Sequence, residues 1–241
     1  MYKLKFKFAP SLMCMNFLKL KEQIEFLNTK ADFFHVDIMD GHYVRNITLS
    51  PLFIEQIKPI SRIPIDAHLM VDDPLFMIEM VAKSGADYIT VHAETIWREA
   101  FRIISLIKSY NCRVGIALNP STSVEQIKYY IHLIDKITIM TVDPGFAGQP
   151  FIEEMLRKIS EVKNLKERNN YNFLIEVDGS CNKKTFKNLI EAGTEVFVIG
   201  SSGLFSLSED IANAWELMQK DFSNALQDIN IKTAKGVWNE E

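Results

Sequence analysis

FFHVDIMD, residues 33–40, reads as a buried β-strand that delivers two polar side chains to one side. Residues two apart in a strand share a face, so His35 and Asp37 point the same way. Two further runs repeat the design: IPIDAHLM (63–70) carries His68 near its end, and FLIEVDGS (173–180) carries Asp178. KFKFAPSLM (5–13), DYITVH (87–92), CRVGIAL (112–118), KITIMTVD (136–143) and EVFVIGS (195–201) have the same apolar character. Such near-continuous runs suit parallel strands covered on both faces.

Between these runs the apolar residues fall at helical spacing, as in Phe17, Leu20, Ile24 and Leu27, and again in Val124, Ile127, Ile131 and Ile134. Ser123 with Gln126 reads as a capping box opening the second of these helices. Eight strand–helix units with no Ser/Pro/Gly linker predict an α/β fold, a single (β/α)8 TIM barrel spanning residues 1–222. Residues 223–241 lose the periodicity and read as a loosely held C-terminal tail. An open doubly wound sheet normally carries a Gly-rich turn after its first strand, and PSLMCMNF (10–17) lacks one.

The 241 residues are 47% hydrophobic, enough to bury a substantial core. A formal charge of −4 leaves no basic footprint for nucleic acid or an anionic membrane, so a phosphate must be caught locally. No apolar run approaches spanning length, and MYKLKFKFAP alternates Lys with apolar residues rather than forming a signal core. Cys14, Cys112 and Cys181 form no CxxC pair, which predicts neither a disulfide framework nor a thiolate zinc site and makes the cytoplasm the expected location. Cys181, placed at the start of a helix, reads as a packing residue.

Active sites of such barrels lie at the C-terminal ends of the strands, where His35, Asp37, His68 and Asp178 all fall. Two imidazoles and two carboxylates suit one divalent ion of zinc, manganese, cobalt or iron better than calcium, with zinc or manganese preferred. His92 ends its strand and reads as a group behind these four, His132 as a surface or packing residue, and His42 as a loop residue without a role. DPGFAGQ (143–149), DGS (178–180) and GSSGLF (200–205) follow strands six, seven and eight, as a backbone phosphate cradle would. Met39, Met70 and Met140 lie near the same rim and read as an apolar wall that dries the site.

PSLMCMNF, HVDIMDGHYVRNIT, DAHLMV, TVDPGFAGQPF, EVDGS and GSSGLF, in this order between Phe8 and Met218, resemble the motif series of the ribulose-phosphate 3-epimerase family. That resemblance implies a ribulose-phosphate-binding barrel with His35, Asp37, His68 and Asp178 as metal ligands, Asp37 as proton acceptor and Asp178 as proton donor. It puts Ser11 and His68 on the sugar, and Gly145, Phe146, Ala147, Gly148, Gln149, Gly179, Ser180, Gly200, Ser201 and Ser202 at the phosphate. It also implies a ketose phosphate substrate and a homo-oligomer. SLMCMNF, GFAGQ and VDGS, where the family more often resembles SILSADF, GFGGQ and VDGG, are similar to the D-allulose-6-phosphate 3-epimerase branch. The expected reaction is therefore interconversion of D-allulose and D-fructose 6-phosphates, with the pentulose pair D-ribulose and D-xylulose 5-phosphates as the alternative. A barrel lyase, which would often use a strand-end lysine, and a non-catalytic sugar-phosphate sensor are the more distant readings.

Overall fold

A computed structural model describes residues 6–236, with side chains as far as 229. Its strands are β1 (Lys7–Pro10), β2 (Phe34–Met39), β3 (Ile65–Met70), β4 (Tyr88–His92), β5 (Arg113–Leu118), β6 (Lys136–Met140), β7 (Leu174–Asp178) and β8 (Val196–Ile199). All pair in parallel in the order β1-β8-β7-β6-β5-β4-β3-β2. A single bridge between Ser11 and His35 brings β1 against β2, so the barrel is nearly closed. Helices α1 (Leu20–Leu27), α2 (Pro51–Ile57), α3 (Pro74–Ser84), α4 (Ala93–Ile96), α5 (Ala100–Ser109), α6 (Met155–Asn169), α7 (Phe186–Ala192) and α8 (Ile211–Gly236) connect the strands, with α4 and α5 both after β4 and only 3₁₀ turns between β5 and β6. The expected TIM barrel is the observed fold.

A repeated clamp sets the lower end of the barrel. Asp87 donates its N–H to the Ile65 carbonyl (2.8 Å), and its carboxylate accepts the Ile65 N–H (2.9 Å). Asp135 clamps Val114 in the same way, Glu195 clamps Ile175 and Asp32 clamps Phe8. The N–H groups of Phe8, Ile65, Val114 and Ile175, at the entrances of β1, β3, β5 and β7, are thereby satisfied.

Two local expectations differ from the structure. The segment carrying Val124, Ile127, Ile131 and Ile134 forms two 3₁₀ turns, Val124–Ile127 and Ile131–Leu133, rather than an α-helix. Ser123 accepts from the Glu125 N–H at 3.2 Å, so no capping box with Gln126 forms. The four apolar residues are buried as expected, because residues three apart eclipse in a 3₁₀ turn, so Val124 shares a face with Ile127 and Ile131 with Ile134.

Past residue 222 the chain does not become a loose tail; α8 continues to Gly236, and Ala225 is buried. Phe222 pins the helix, with its ring 4.9 Å from Phe8, 5.2 Å from Phe186 and 5.2 Å from Phe197. Residues 237–241 lie outside the described residues.

Candidate active site

Parallel register builds the centre from β2 and β3. His35 is paired with Asp66 and Asp37 with His68, so four polar side chains enter the barrel as two stacked pairs. Asp178 reaches the upper pair from β7. His35 Nε2 lies 3.1 Å from His68 Nδ1, 3.2 Å from Asp37 Oδ1 and 3.6 Å from Asp178 Oδ2. His68 Nδ1 lies 3.2 Å from Asp37 Oδ1 and 3.5 Å from Asp178 Oδ2. Ligands bound tetrahedrally at about 2.0–2.1 Å stand roughly 3.3 Å apart, so these spacings are those of one coordination shell.

Hydrogen bonding fixes which nitrogens face the centre. His35 Nδ1 sits 2.9 Å from the Asp66 carboxylate, which only accepts, so Nδ1 carries the proton and Nε2 presents its lone pair. His68 Nε2 meets His92 Nε2 at 2.9 Å. Burial holds the His92 pKa down to about 4, so His92 is neutral and its Nε2 accepts from His68. The remaining His92 proton then lies on Nδ1, a buried atom with no hydrogen-bond partner that faces Glu94 Oε2 at 3.5 Å. Two imidazole lone pairs and two carboxylate oxygens therefore converge on one point, and only positive charge there reconciles them. The four side chains fit a divalent cation.

The electrostatics agree. Burial opposes charge on His35, yet the Asp37 carboxylate prevails and raises its pKa well above the ordinary range, so Nε2 draws a proton unless a cation takes that place. Burial likewise opposes ionisation of Asp37 and Asp178, but the two imidazoles pull both carboxyls below theirs.

A cavity opens above this centre. Asp37 and Asp178 line it, whereas His35 and His68 are fully buried beneath them. His68, expected on the sugar, has one ring nitrogen in the centre and the other on His92, so it does not line the cavity. Ser11 does line it, and donates to Asp37 Oδ2 at 2.6 Å. Met39, Met70 and Met140 form part of the wall, each almost entirely buried, with Met13 beside them.

The far end is built by the three glycine loops. Gly145, Phe146, Ala147, Gly148 and Gln149 line it from the loop after β6, Gly179 and Ser180 from that after β7, and Gly200, Ser201 and Ser202 from that after β8. Gly179 has φ of +120°, and a Cβ there would lie 2.8 Å from Val142 Cγ2. Ser180 also adopts a left-handed backbone (φ 50°) and bonds the Gln149 carbonyl through its hydroxyl, tying two loops together. Gln149 in turn holds its own loop through the Asp143 and Phe146 carbonyls. No lysine or arginine appears among the described residues lining the cavity. An anion here must rely on hydroxyls and on N–H groups of the loops and of the helical turn Ser201–Phe205.

Several participants escaped the sequence reading. Asp66 and Glu176 lie two residues before His68 and Asp178, so the same alternation places them on the inner face one layer lower. Met13, Cys14, Val142, Pro144 and Val198 also line the cavity. Cys181 lines it too, five residues ahead of α7 rather than at a helix start; burial pushes its thiol well up, as a packing residue requires. His42 is exposed and folds back on the Asp40 carbonyl, and His132 is exposed on a 3₁₀ turn. No described helix is long and apolar enough to cross a membrane.

Residues 7–205 match the family model described as the ribulose-phosphate 3 epimerase family. The ribulose-phosphate 3-epimerase of Bacillus subtilis (strain 168) is 43% identical over 198 residues, covering 81% of this chain and 91% of that one. The enzyme of the same name from Helicobacter pylori (strain J99) is 43% identical over 195 residues, covering 81% and 89%. Among solved structures, 3-hexulose-6-phosphate synthase from Salmonella typhimurium superposes with a TM-score of 0.66 at 15% identity, covering 91% of this chain and 99% of that one. That likeness concerns the barrel alone. The chain belongs to the ribulose-phosphate 3-epimerase family and is an isomerase.

Proposed function

We propose that this protein interconverts D-ribulose 5-phosphate and D-xylulose 5-phosphate by moving a proton at C3. One observation carries the chemistry: Asp37 and Asp178 reach the cavity from strands on different sides of the barrel, while the two histidines stay beneath them. Inverting a carbon next to a ketone needs a base on one face and an acid on the other. Asp37 takes the proton and Asp178 returns one in the forward direction, and they exchange roles in reverse. A cation held by His35, Asp37, His68 and Asp178, zinc or manganese before cobalt or iron, supplies Lewis acidity at the substrate oxygens.

Ser11 fixes one Asp37 oxygen by donating to it, which keeps that carboxylate in a single orientation. Met39, Met70 and Met140 exclude water above the centre. The glycine loops hold the phosphate through neutral donors, so the cavity places its fixed negative charge at the opposite end. With no lysine among the described lining residues, the lyase reading loses its nucleophile.

The hexulose expectation drawn from SLMCMNF, GFAGQ and VDGS gives way to the pentulose pair, because the similar curated enzymes carry the pentulose name. One extra carbon changes binding by only a modest factor, so the comparison must be direct. Side-by-side turnover of both substrates by metal-replete protein is expected to favour the pentulose phosphate, with solvent deuterium entering C3. Faster hexulose turnover would restore the allulose reading; no deuterium at C3 of either would remove epimerase chemistry altogether. Cytoplasmic location and a homo-oligomer complete the proposal. Phe17, Leu18, Ile47, Leu52 and Phe76 are exposed apolar side chains that association would cover, and light scattering at the native concentration tests for a second copy.

A further inference from the structure

We infer that Lys136 is a positioning residue: its ammonium balances the buried carboxylates below the centre and so keeps Asp66 on His35 Nδ1. The inference rests on the reading of the centre as a cation site. Lys136 begins β6 at the lower end of the barrel, and its side chain is 2% exposed. Its Nζ contacts Asp66 Oδ2 and lies 2.7 Å from Glu176 Oε1. Asp66 Oδ2 is the same oxygen that accepts from His35 Nδ1, and Glu176 Oε1 stands 4.0 Å from that nitrogen. Two carboxylates thus crowd one imidazole N–H, and Lys136 lies between them.

Both carboxylates are also held by hydroxyls. Thr90 Oγ1 donates to Asp66 Oδ1 at 2.7 Å, and Thr138 Oγ1 donates to Glu176 Oε1 at 2.8 Å. A Cβ at Gly115 would collide with Thr90 Oγ1, so the neighbouring strand is hollowed to admit this hydroxyl. This polar layer replaces the bulky branched side chains that usually fill a barrel interior. Stability alone gives it no rationale, because a buried ion pair is often no better than apolar side chains of equal volume. A partner that orients a ligating histidine has one: losing such a group typically weakens metal binding about 10–100-fold.

Removing the Lys136 charge leaves Asp66 and Glu176 repelling each other beside His35, with no cation to hold Asp66 in place. Zinc affinity of the full-length protein, measured by competition with a chelating dye, is expected to fall at least about tenfold in Lys136→Met. The double variant Lys136→Met/Glu176→Gln removes one charge of each sign and is expected to regain most of that loss. Nitrogen-15 spectra of the zinc-loaded wild type and double variant should both show His35 protonated on Nδ1.

Unchanged zinc affinity in a folded Lys136→Met protein would overturn the inference. A double variant binding as weakly as the single would do the same, since a packing defect is not repaired by a change at Glu176. Should Lys136→Met fail to fold, a folded double variant supports charge balance and an unfolded one refutes it. Wild-type protein that binds no zinc at all would instead remove the cation reading beneath it.

Discussion

Asp37 and Asp178 occupy the same centre but are held differently. Ser11 and both histidines constrain Asp37, whereas Asp178 is held by the histidines and is the more exposed of the two. If each serves one face of C3, their amide variants fail asymmetrically. Asp37→Asn and Asp178→Asn are each expected to lose about 10²–10⁴-fold in epimerisation. Each should still exchange the C3 proton of one epimer with solvent, and the two variants should retain opposite epimers. Deuterium incorporation into each pure epimer, with metal content measured alongside, checks this. Exchange retained for the same epimer in both variants would refute the division of labour. Residue choice in the glycine loops follows the same local logic: Gly179 is required by its positive φ and by the Val142 methyl beside it.

Among the elements, the four acid clamps form the most regular device in the molecule. Because Asp32, Asp87, Asp135 and Glu195 each serve a different strand pair, their contributions should add. Asp135→Ala is expected to cost about 1–3 kcal/mol by leaving the Val114 N–H unpaired. Paired with Asp87→Ala, the losses in urea unfolding should sum; a strongly non-additive pair would mean the clamps act as one ring.

The rim network after β4 carries a pH signature. Burial opposes ionisation of Glu94, but the His92 Nδ1–H facing it at 3.5 Å and the hydrogen bond from the Thr122 hydroxyl prevail and hold its pKa down to about 2. A carboxyl depressed in the folded state stabilises fully above its ordinary value of 4.5 and loses that contribution as pH falls towards 2. Glu94→Gln should therefore melt lower than wild type at pH 7, with the difference vanishing through that acid window. A difference constant across the window would assign the effect to packing instead.

For the molecule as a whole, α8 completes the layer outside β1 and β8. Phe222 meets Phe6, Phe8, Phe186 and Phe197 edge to face, joining both ends of the chain's barrel. Phe222→Ala is expected to cost about 3–5 kcal/mol. The cluster of His35, Asp37, His68 and Asp178 should be intact in the fraction that remains folded. Thermal melts and dye competition together check both statements, and a melting temperature equal to wild type would show α8 to be dispensable.

Much of this design was legible in the chain itself. Alternation within FFHVDIMD, IPIDAHLM and FLIEVDGS placed His35, Asp37, His68 and Asp178 on inner faces, because side-chain direction in a strand is set by the backbone two residues at a time. The glycine loops were legible for the same local reason. Closure of the barrel is not local. It decided that His35 Nε2 and Asp178 Oδ2 stand 3.6 Å apart, that His68 lies beneath the cavity with one nitrogen on His92, and that Lys136 reaches between Asp66 and Glu176. Those relations depend on register and tilt between strands far apart in sequence, and on which long side chain finds its partner across the barrel. A repeating pattern within one strand carries no information about either.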